Sequence, residues 1–247
     1  MLNFIYAELW RYFHRPAGKA LLILAAGLPV LLSLYIFIGL HWVQMGDIFT
    51  QTVGVVAVLM PFAGIFFLVG IVDVSFADEL RRATLKNHLA AGVSRPVIYG
   101  GKILSGLLLS ILHLILALAA FFLSSAALLS LDILEIFDSM GLLLLEVLPL
   151  WLGALGLLYL LYFNFRSGLQ AVAAVTFGSL FLFPILSGVN VPAAGRISQL
   201  NLAEWLAKMM TQPMSKALVL ECWGVGCCYF AVGAAGGWLF FRRREIR

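Results

Sequence analysis

Three acidic side chains that lie close together in the sequence have the composition of a metal site. Asp73, Asp78 and Glu79 supply carboxylate oxygens, the ligand type that Mg²⁺ and Ca²⁺ prefer. Arg81 and Arg82, however, follow directly. Because arginines this near would pair with the carboxylates, we predict ion pairs at a membrane surface. We expect neither a metal ion nor a resident cofactor in this chain.

Catalysis by serine or glutamate inside a membrane would also need a particular spacing. A membrane serine protease would carry Gly-x-Ser-Gly and a histidine on another helix. The nearest match, Ser167-Gly168, follows Arg166 and lacks the first glycine. Paired glutamates with an arginine four residues on would indicate another protease class, and the run at 78–82 differs in composition and spacing. We predict no catalytic residues, and a protease-like intramembrane enzyme is kept as the alternative.

The sequence has no phosphate-binding loop of the form Gly-x-x-x-x-Gly-Lys-Ser/Thr. Its two Gly-Lys pairs, at 18–19 and 101–102, are followed by alanine and isoleucine where the motif requires Ser or Thr. Any ATP hydrolysis that drives this protein is therefore expected to occur in a separate subunit, which would bind ATP and magnesium.

Six segments without Asp, Glu, Lys or Arg dominate the chain. The composition is 63% hydrophobic and 11% charged with a mean hydropathy of +1.04, against about 45–50% and about 25% in soluble domains. A membrane-crossing helix needs about 20 such residues, because every backbone polar group must be bonded within the segment. We therefore predict an all-α, polytopic membrane protein, a single domain over 1–247, with six spans within the segments 20–46, 48–72, 103–131, 147–165, 167–195 and 222–241.

The basic residues predict the orientation of these spans. With both termini in the cytoplasm, 13 of the 16 Lys and Arg lie in cytoplasmic segments, and only Arg196, Lys208 and Lys216 lie outside. Such a bias over short loops is typical of the cytoplasmic side. The net charge of +4 thus sits at span ends beside the lipid bilayer, and we expect no nucleic acid partner. Residues 1–18 precede the first span and are predicted to form an interfacial helix, with apolar side chains at helical spacing: Leu2, Ile5, Leu9, Tyr12 and Phe13.

The cytoplasmic loop at 73–101 is predicted to contain an amphipathic helix over 76–92. Gly92 suits the position that ends a helix, and Ser94 can cap the next helix, with Pro96 in its first turn. A short amphipathic helix on the cytoplasmic face needs a protein partner or the lipid surface to cover its apolar side.

Polar residues at the outer span ends and one outer segment are further candidates. Glu146 and Glu221 begin the fourth and sixth predicted spans, and they either line an outer vestibule or pair with outer bases. His113 lies inside the third span, where a neutral imidazole bonded to a neighbouring helix is expected. The outer segment 188–217 has an amphipathic pattern around Trp205. Small residues on the last span, Gly233 and Gly237, predict close helix packing, within this chain or with another.

One stretch of the loop resembles a known family. Glu79, then TLKNHLAAGVSR at 84–95, then Lys102 at the start of the third span look like the corresponding loop in permease subunits of type-2 ATP-binding-cassette (ABC) exporters. Six spans, both ends inside and a longer outer segment before the last span fit the same family. The size and the Gly-Val-Ser-Arg turn are most similar to permeases of lantibiotic or other peptide-antibiotic transport and immunity.

The resemblance implies a division of labour between subunits. The cytoplasmic helix would seat in a groove on a separate ABC ATPase, present in two copies, and a second permease subunit, identical or not, would complete the pathway. It implies export of an amphiphilic peptide or lipid-like substrate across a bacterial cell membrane, with the outer segment acting in gating. A non-transporting scaffold or sensor subunit is the other alternative. The residues expected to contact the ATPase are Glu79, Leu80, Arg82, Leu85, Lys86, Leu89 and Arg95.

Overall fold

The protein folds into helices that form a bundle. A computed structural model describes residues 1–39, 64, 67–77, 79, 84–129, 133–164, 170, 205, 208 and 215–243, and no strand occurs in those ranges. The elements are α1 (Leu2–His14), α2 (Pro16–Ile38), α3 (residues 67–77, ending in a π-helical turn at Asp73–Ala77), α4 (Leu85–Ala90), α5 (Arg95–Leu129), α6 (Ile133–Asn164) and α7 (Lys216–Arg243).

Three of the described helices are long and apolar enough to cross a membrane. They are Pro16–Ile38, Arg95–Leu128 and Lys216–Arg243, and they contain much of the first, third and sixth predicted spans. Most of their surface is exposed although it is apolar, which is expected of helices that face lipid. These helices are therefore compatible with a multi-pass membrane protein. The number of six spans and the N-in, C-in orientation stay predictions, and most of the segments 48–72 and 167–195 lies outside the described residues.

Two shorter apolar helices, Phe67–Phe76 and Val147–Tyr162, fall at the predicted second and fourth spans. The second of them is part of α6, whose 32 residues begin at Ile133, in a stretch that the sequence predicted to be an outer loop. At 1.5 Å per residue α6 is about 48 Å long, which exceeds the about 30 Å of hydrocarbon. Glu135, Asp138 and Glu146 interrupt the uncharged sequence, but the helix continues through them.

Small residues set the closest helix contacts. A Cβ on Gly226 would overlap the carbonyl of Pro149, and a Cβ on Gly156 would lie 2.6 Å from Cα of Phe230. Glycines let α6 and α7 approach backbone to backbone, the usual way helices pack where no hydrophobic effect drives them together. On the other side of the bundle, α2 packs on α5 through buried small residues, and the Ser33 hydroxyl lies 3.0 Å from that of Ser125.

The relative directions of α5, α6 and α7 are those that the predicted topology requires. Contacts of α6 with α7 advance together along both chains, since Gly226 meets Pro149 and Gly233 meets Gly156, so these helices are parallel. The predicted fourth and sixth spans must be parallel as well. In contrast, α5 is antiparallel to α7, because Tyr99 bonds the carbonyl of Ala234 and Arg95 bonds that of Arg242.

The main hydrophobic core lies where α5 begins and where α6 and α7 end. It packs side chains of α3, α4, α5, α6 and α7 around aromatic residues that are almost fully buried. In the predicted topology this is the cytoplasmic end of the bundle, so the core joins the predicted coupling loop to the spans. Its largest members are Phe76, Tyr99, Tyr159, Tyr162 and Phe241.

Candidate functional site: a buried ion cluster

The ammonium group of Lys102 joins three elements of the fold. Its Nζ lies 2.5 Å from Glu8 Oε2 on α1 and 2.8 Å from Glu79 Oε2, and it donates to the carbonyl of Ser75 on α3 at 2.7 Å. An ammonium has three donors, and each has an acceptor here. Lys102 is 0% exposed, Glu8 4% and Glu79 1%. These charges are therefore held inside the protein and are not on its surface.

Arg11 completes the set. One terminal guanidinium nitrogen pairs with Glu8 and the other with Glu79. Two carboxylates thus face two cations, and the group, called here the ion cluster (Glu8, Arg11, Glu79 and Lys102), has no formal net charge. Burying a charge is costly unless it is paired and hydrogen-bonded; every charge of the cluster is paired, but the two oxygens of Glu79 are held at ion-pair distance without hydrogen-bond geometry.

Local structure explains why these groups meet. Arg11 follows Glu8 by three residues and Tyr12 follows it by four, so all three lie on one face of α1. The last turn of α3 is π-helical, a wider turn that displaces carbonyls from their usual helical partners. Its carbonyls accept from side chains instead: Ser75 from Lys102, and Val74 from Arg15 at 2.6 Å.

A second polar contact fixes α1 deeper in the bundle. The Tyr12 hydroxyl lies 3.1 Å from Nε2 of His113, and Nδ1 of His113 lies 2.7 Å from the carbonyl of Leu109. A carbonyl only accepts, so Nδ1 carries the proton, and in the neutral ring Nε2 accepts from Tyr12. Burial raises the pKa of Tyr12, which keeps its hydroxyl in the donor form. His113 is accordingly a buried, hydrogen-bonded histidine with a structural role.

Ligand atoms of Glu8, Glu79 and His88 lie within 4.8 Å of one another, close enough to hold a metal ion. The carboxylates, however, already contact Lys102 and Arg11, and a cation would have to displace both. His88 Nε2 is 3.9 Å from Glu79, too far for a hydrogen bond. The cluster is therefore built as an ion-pair site. The partners of Glu79 in the structure are Arg11 and Lys102, whereas Arg81 and Arg82 are outside the described residues.

The residues predicted to contact an ATPase are divided between the interior and the surface. Glu79 and Leu85 are each 1% exposed, and Leu89 packs against the main core. Lys86 is exposed, and Arg95 donates to the carbonyl of Arg242 at 2.7 Å. Leu80 and Arg82 lie outside the described residues. The placement of Glu79 on a surface with Arg82 and Lys86 therefore needs correction, because Glu79 points at buried cations that helical periodicity could not reveal.

The predicted helix over 76–92 is described only in part, since residues 78 and 80–83 lie outside the described residues and Thr84 lies in a turn. The π-helical turn Asp73–Ala77 and α4, Leu85–Ala90, take its place among the described residues. Its end was predicted correctly: Gly92 has a φ of 81°, a conformation that glycine adopts without strain. The next helix begins at Arg95, directly after Ser94.

The candidates at the other end of the bundle are described only in part. Trp205 is 7% exposed, in a cluster with Val147, Leu150, Leu218 and Cys222, and Nζ of Lys208 lies 4.3 Å above its ring. Trp205 thus packs among side chains of α6 and α7, and its place in a possible outer vestibule with Glu146 and Glu221 stays a prediction. Glu221 is exposed, and the side chain of Glu146 is outside the described residues.

Gly233 and Gly237 are both buried on α7. A Cβ on Gly233 would overlap the carbonyl of Gly156, so its packing partner is α6 of the same chain.

Sequence reasoning missed Glu8, Arg11 and the carbonyl of Ser75 as partners of Lys102. A signal was present for the first two: they are the acidic and basic residues of an otherwise apolar helix, at i and i+3. No sequence signal identifies a backbone carbonyl as an acceptor. Chemically, a fully paired cluster can fix the relative position of α1, α3 and α5, but it offers no unpaired nucleophile or base.

No protein-family model matches the chain, and no curated protein is similar to it. Functional inference therefore depends on the residues themselves: the loop at 79–102 and the geometry in which its side chains meet.

Proposed function

We propose that the chain is the membrane-embedded permease subunit of an ATP-driven type-2 ABC exporter that moves an amphiphilic peptide or lipid-like substrate. The observation that supports it most is the contact between Glu79 and Lys102 at 2.8 Å. Both residues belong to the stretch that resembles the family, and they flank α4. The stretch therefore acts as one structural unit whose ends are tied together inside the protein.

The short helix α4 is placed to receive a partner protein. Leu85 anchors it in the main core, while Lys86 and Asn87 face outward. A force applied to α4 would reach α5 through Leu85, which shares the main core with Ile98 and Tyr99 at the start of α5. This is the mechanical property that a permease needs if ATP hydrolysis in another subunit is to move its membrane helices.

The substrate class follows from what the described spans expose. Their outward side chains are mostly those of leucine, isoleucine, valine, phenylalanine and alanine; Tyr35, Cys227 and Cys228 are exposed too, but they form no polar stripe along the described helices such as an ion or sugar pathway would need. A route along apolar helix faces suits a compound that already partitions into the bilayer. A second permease subunit would form the opposite wall, in a bacterial cell membrane.

The partner contact is tested by reversing one exposed charge on α4. Lys86→Glu should weaken copurification with an ABC ATPase encoded beside the permease gene, and it should lower substrate-stimulated ATP hydrolysis about ten-fold, as expected for a contact worth about 1.4 kcal/mol. Lys19→Glu, which also reverses an exposed lysine, is the matched control and should leave both readouts unchanged.

Full ATPase binding and stimulation in Lys86→Glu would contradict the contact on α4. The transport role itself is tested in a sensitive host that expresses the permease, its ATPase and any sister permease. Resistance to membrane-active peptides that requires ATP hydrolysis supports the proposal. Transport of a small polar solute with no change in peptide or lipid-analogue accumulation would show that the substrate class is wrong.

A further inference from the structure

Helix α1 has its polar and apolar faces arranged opposite to those of a helix on a soluble protein. The side facing the bundle carries Glu8 and Tyr12, which are 4% and 2% exposed. The side facing away carries Leu2, Tyr6 and Trp10, which are 81%, 71% and 55% exposed. These last three residues are four apart, so they form one continuous stripe along the helix. A soluble protein would bury this stripe and expose the charges.

Polar and apolar contacts both hold α1 to the bundle, and the apolar ones include Leu9 and Tyr12, which cluster with Ile71 and Leu109. Glu8 and Arg11 belong to the ion cluster, Tyr12 bonds His113, and Arg15 at the end of the helix bonds the carbonyl of Val74. Phe4, packed against the main core, adds an apolar contact. Polar contacts of this kind are strong only where water is excluded, because water competes for the same donors and acceptors.

The lipid bilayer is the occupant that fits the outward stripe. α2, a helix long and apolar enough to span a membrane, begins at Pro16, two residues after α1 ends. The stripe therefore lies at the level where the chain enters the membrane. Tyrosine and tryptophan favour the boundary between headgroups and hydrocarbon.

These observations imply that the polar contacts of α1 with the bundle depend on lipid. Charges attract each other about four times more strongly at an effective dielectric constant of 20 than in water. While lipid covers the outward stripe, a released α1 would carry Glu8 and Arg11 toward the hydrocarbon, where an unpaired charge is costly, whereas without lipid water would solvate them. We propose that α1 is a lipid-dependent latch: it stays docked on α3 and α5 only while the bilayer covers Leu2, Tyr6 and Trp10. Release of α1 would free the π-helical turn of α3 and the base of α5. This property does not depend on the transport role proposed above.

The test follows amide hydrogen exchange of the full chain in nanodiscs of phosphatidylethanolamine and phosphatidylglycerol. Tyr6→Gln combined with Trp10→Gln makes the stripe polar without touching the inward face. We expect exchange in residues 2–14 and also in 73–77 to accelerate about ten-fold, while 216–243 keeps its protection. The matched control, Leu123→Gln with Leu220→Gln, changes two equally exposed apolar residues elsewhere and should leave 2–14 and 73–77 unchanged.

Wild-type exchange in both segments of the double variant would overturn the proposal, because α1 would then be held by its contacts with the bundle alone. Acceleration in 2–14 without acceleration in 73–77 would also overturn it, since the helix would fray without leaving the cluster. If the double variant loses protection along the whole chain, Trp10→Gln alone is measured and judged by the same criteria. The expected acceleration of exchange in 2–14 and 73–77 is then smaller.

Discussion

At the scale of single residues, one lysine organises the charged interior of this protein. Lys102 binds the carboxylates of Glu8 and Glu79 and the backbone carbonyl of Ser75. Arg11 balances the remaining negative charge. Replacing a buried pair by apolar residues is often harmless, but removing one member leaves an uncompensated charge. The cluster is thus sensitive to single substitutions in a way that the exposed lysines are not.

Lys102→Met should lower the free energy of unfolding by about 3–5 kcal/mol, because Glu8 and Glu79 would remain buried with only Arg11 between them. Lys19→Met, at an exposed lysine, should change it by less than about 0.5 kcal/mol. Thermal unfolding of the protein in lipid nanodiscs measures both.

A double-mutant cycle identifies the partner. Adding Glu8→Gln to Lys102→Met should cost clearly less than the sum of the two single substitutions, because the second one removes a charge that the first left unpaired. Strict additivity would mean that the two side chains do not interact in the folded protein.

At the scale of elements, the pairing of α6 with α7 depends on the positions of glycines. Buried residues on α7 recur at intervals of four or seven, which keeps one face of the helix against α6; they are Leu218, Cys222, Gly226, Gly233, Gly237 and Phe241. Gly226 and Gly233 leave no room for a Cβ, whereas a Cβ on Gly224 would meet nothing within 4 Å. The same helix therefore contains glycines that set the packing distance and one that does not.

Gly233→Ala should destabilise the protein by about 1–3 kcal/mol, because the added methyl group forces the α6 and α7 backbones apart. Gly224→Ala provides the control on the same helix, and it should be neutral or slightly stabilising, since alanine favours a helix more than glycine does. Equal melting temperatures for the two variants would argue against close packing at Gly233.

At the scale of the whole molecule, the directions of the described helices agree with the predicted alternation of spans. α6 and α7 are parallel to each other and α7 is antiparallel to α5, and the main core lies at the end where α4 sits. If α4 is cytoplasmic, the first residues of α7 lie on the outer side.

Cysteine labelling in a variant without the three native cysteines tests this orientation. A cysteine in place of the exposed Glu221 should react with an impermeant maleimide added to intact cells, and one in place of the exposed Lys86 should react only after the cells are opened. Labelling at position 86 in intact cells would show that the protein has the opposite orientation in the membrane.

The sequence by itself determined the features that depend on local chemistry. Long uncharged segments identify α2, α5 and α7 as apolar helices, because a span needs length and the absence of charge and little else. Gly92 identifies the end of α4, because a positive φ is a property of a single residue. Tertiary structure decided which charges meet. Glu79 was assigned to a surface from its position in the loop, yet it pairs with Lys102 and Arg11, since the cost of burial depends on groups that only the folded chain brings near. It also decided that Gly233 packs on α6, that Trp205 is buried, and that α1 turns its charges inward, because each of these is a choice between faces that helical periodicity leaves equivalent.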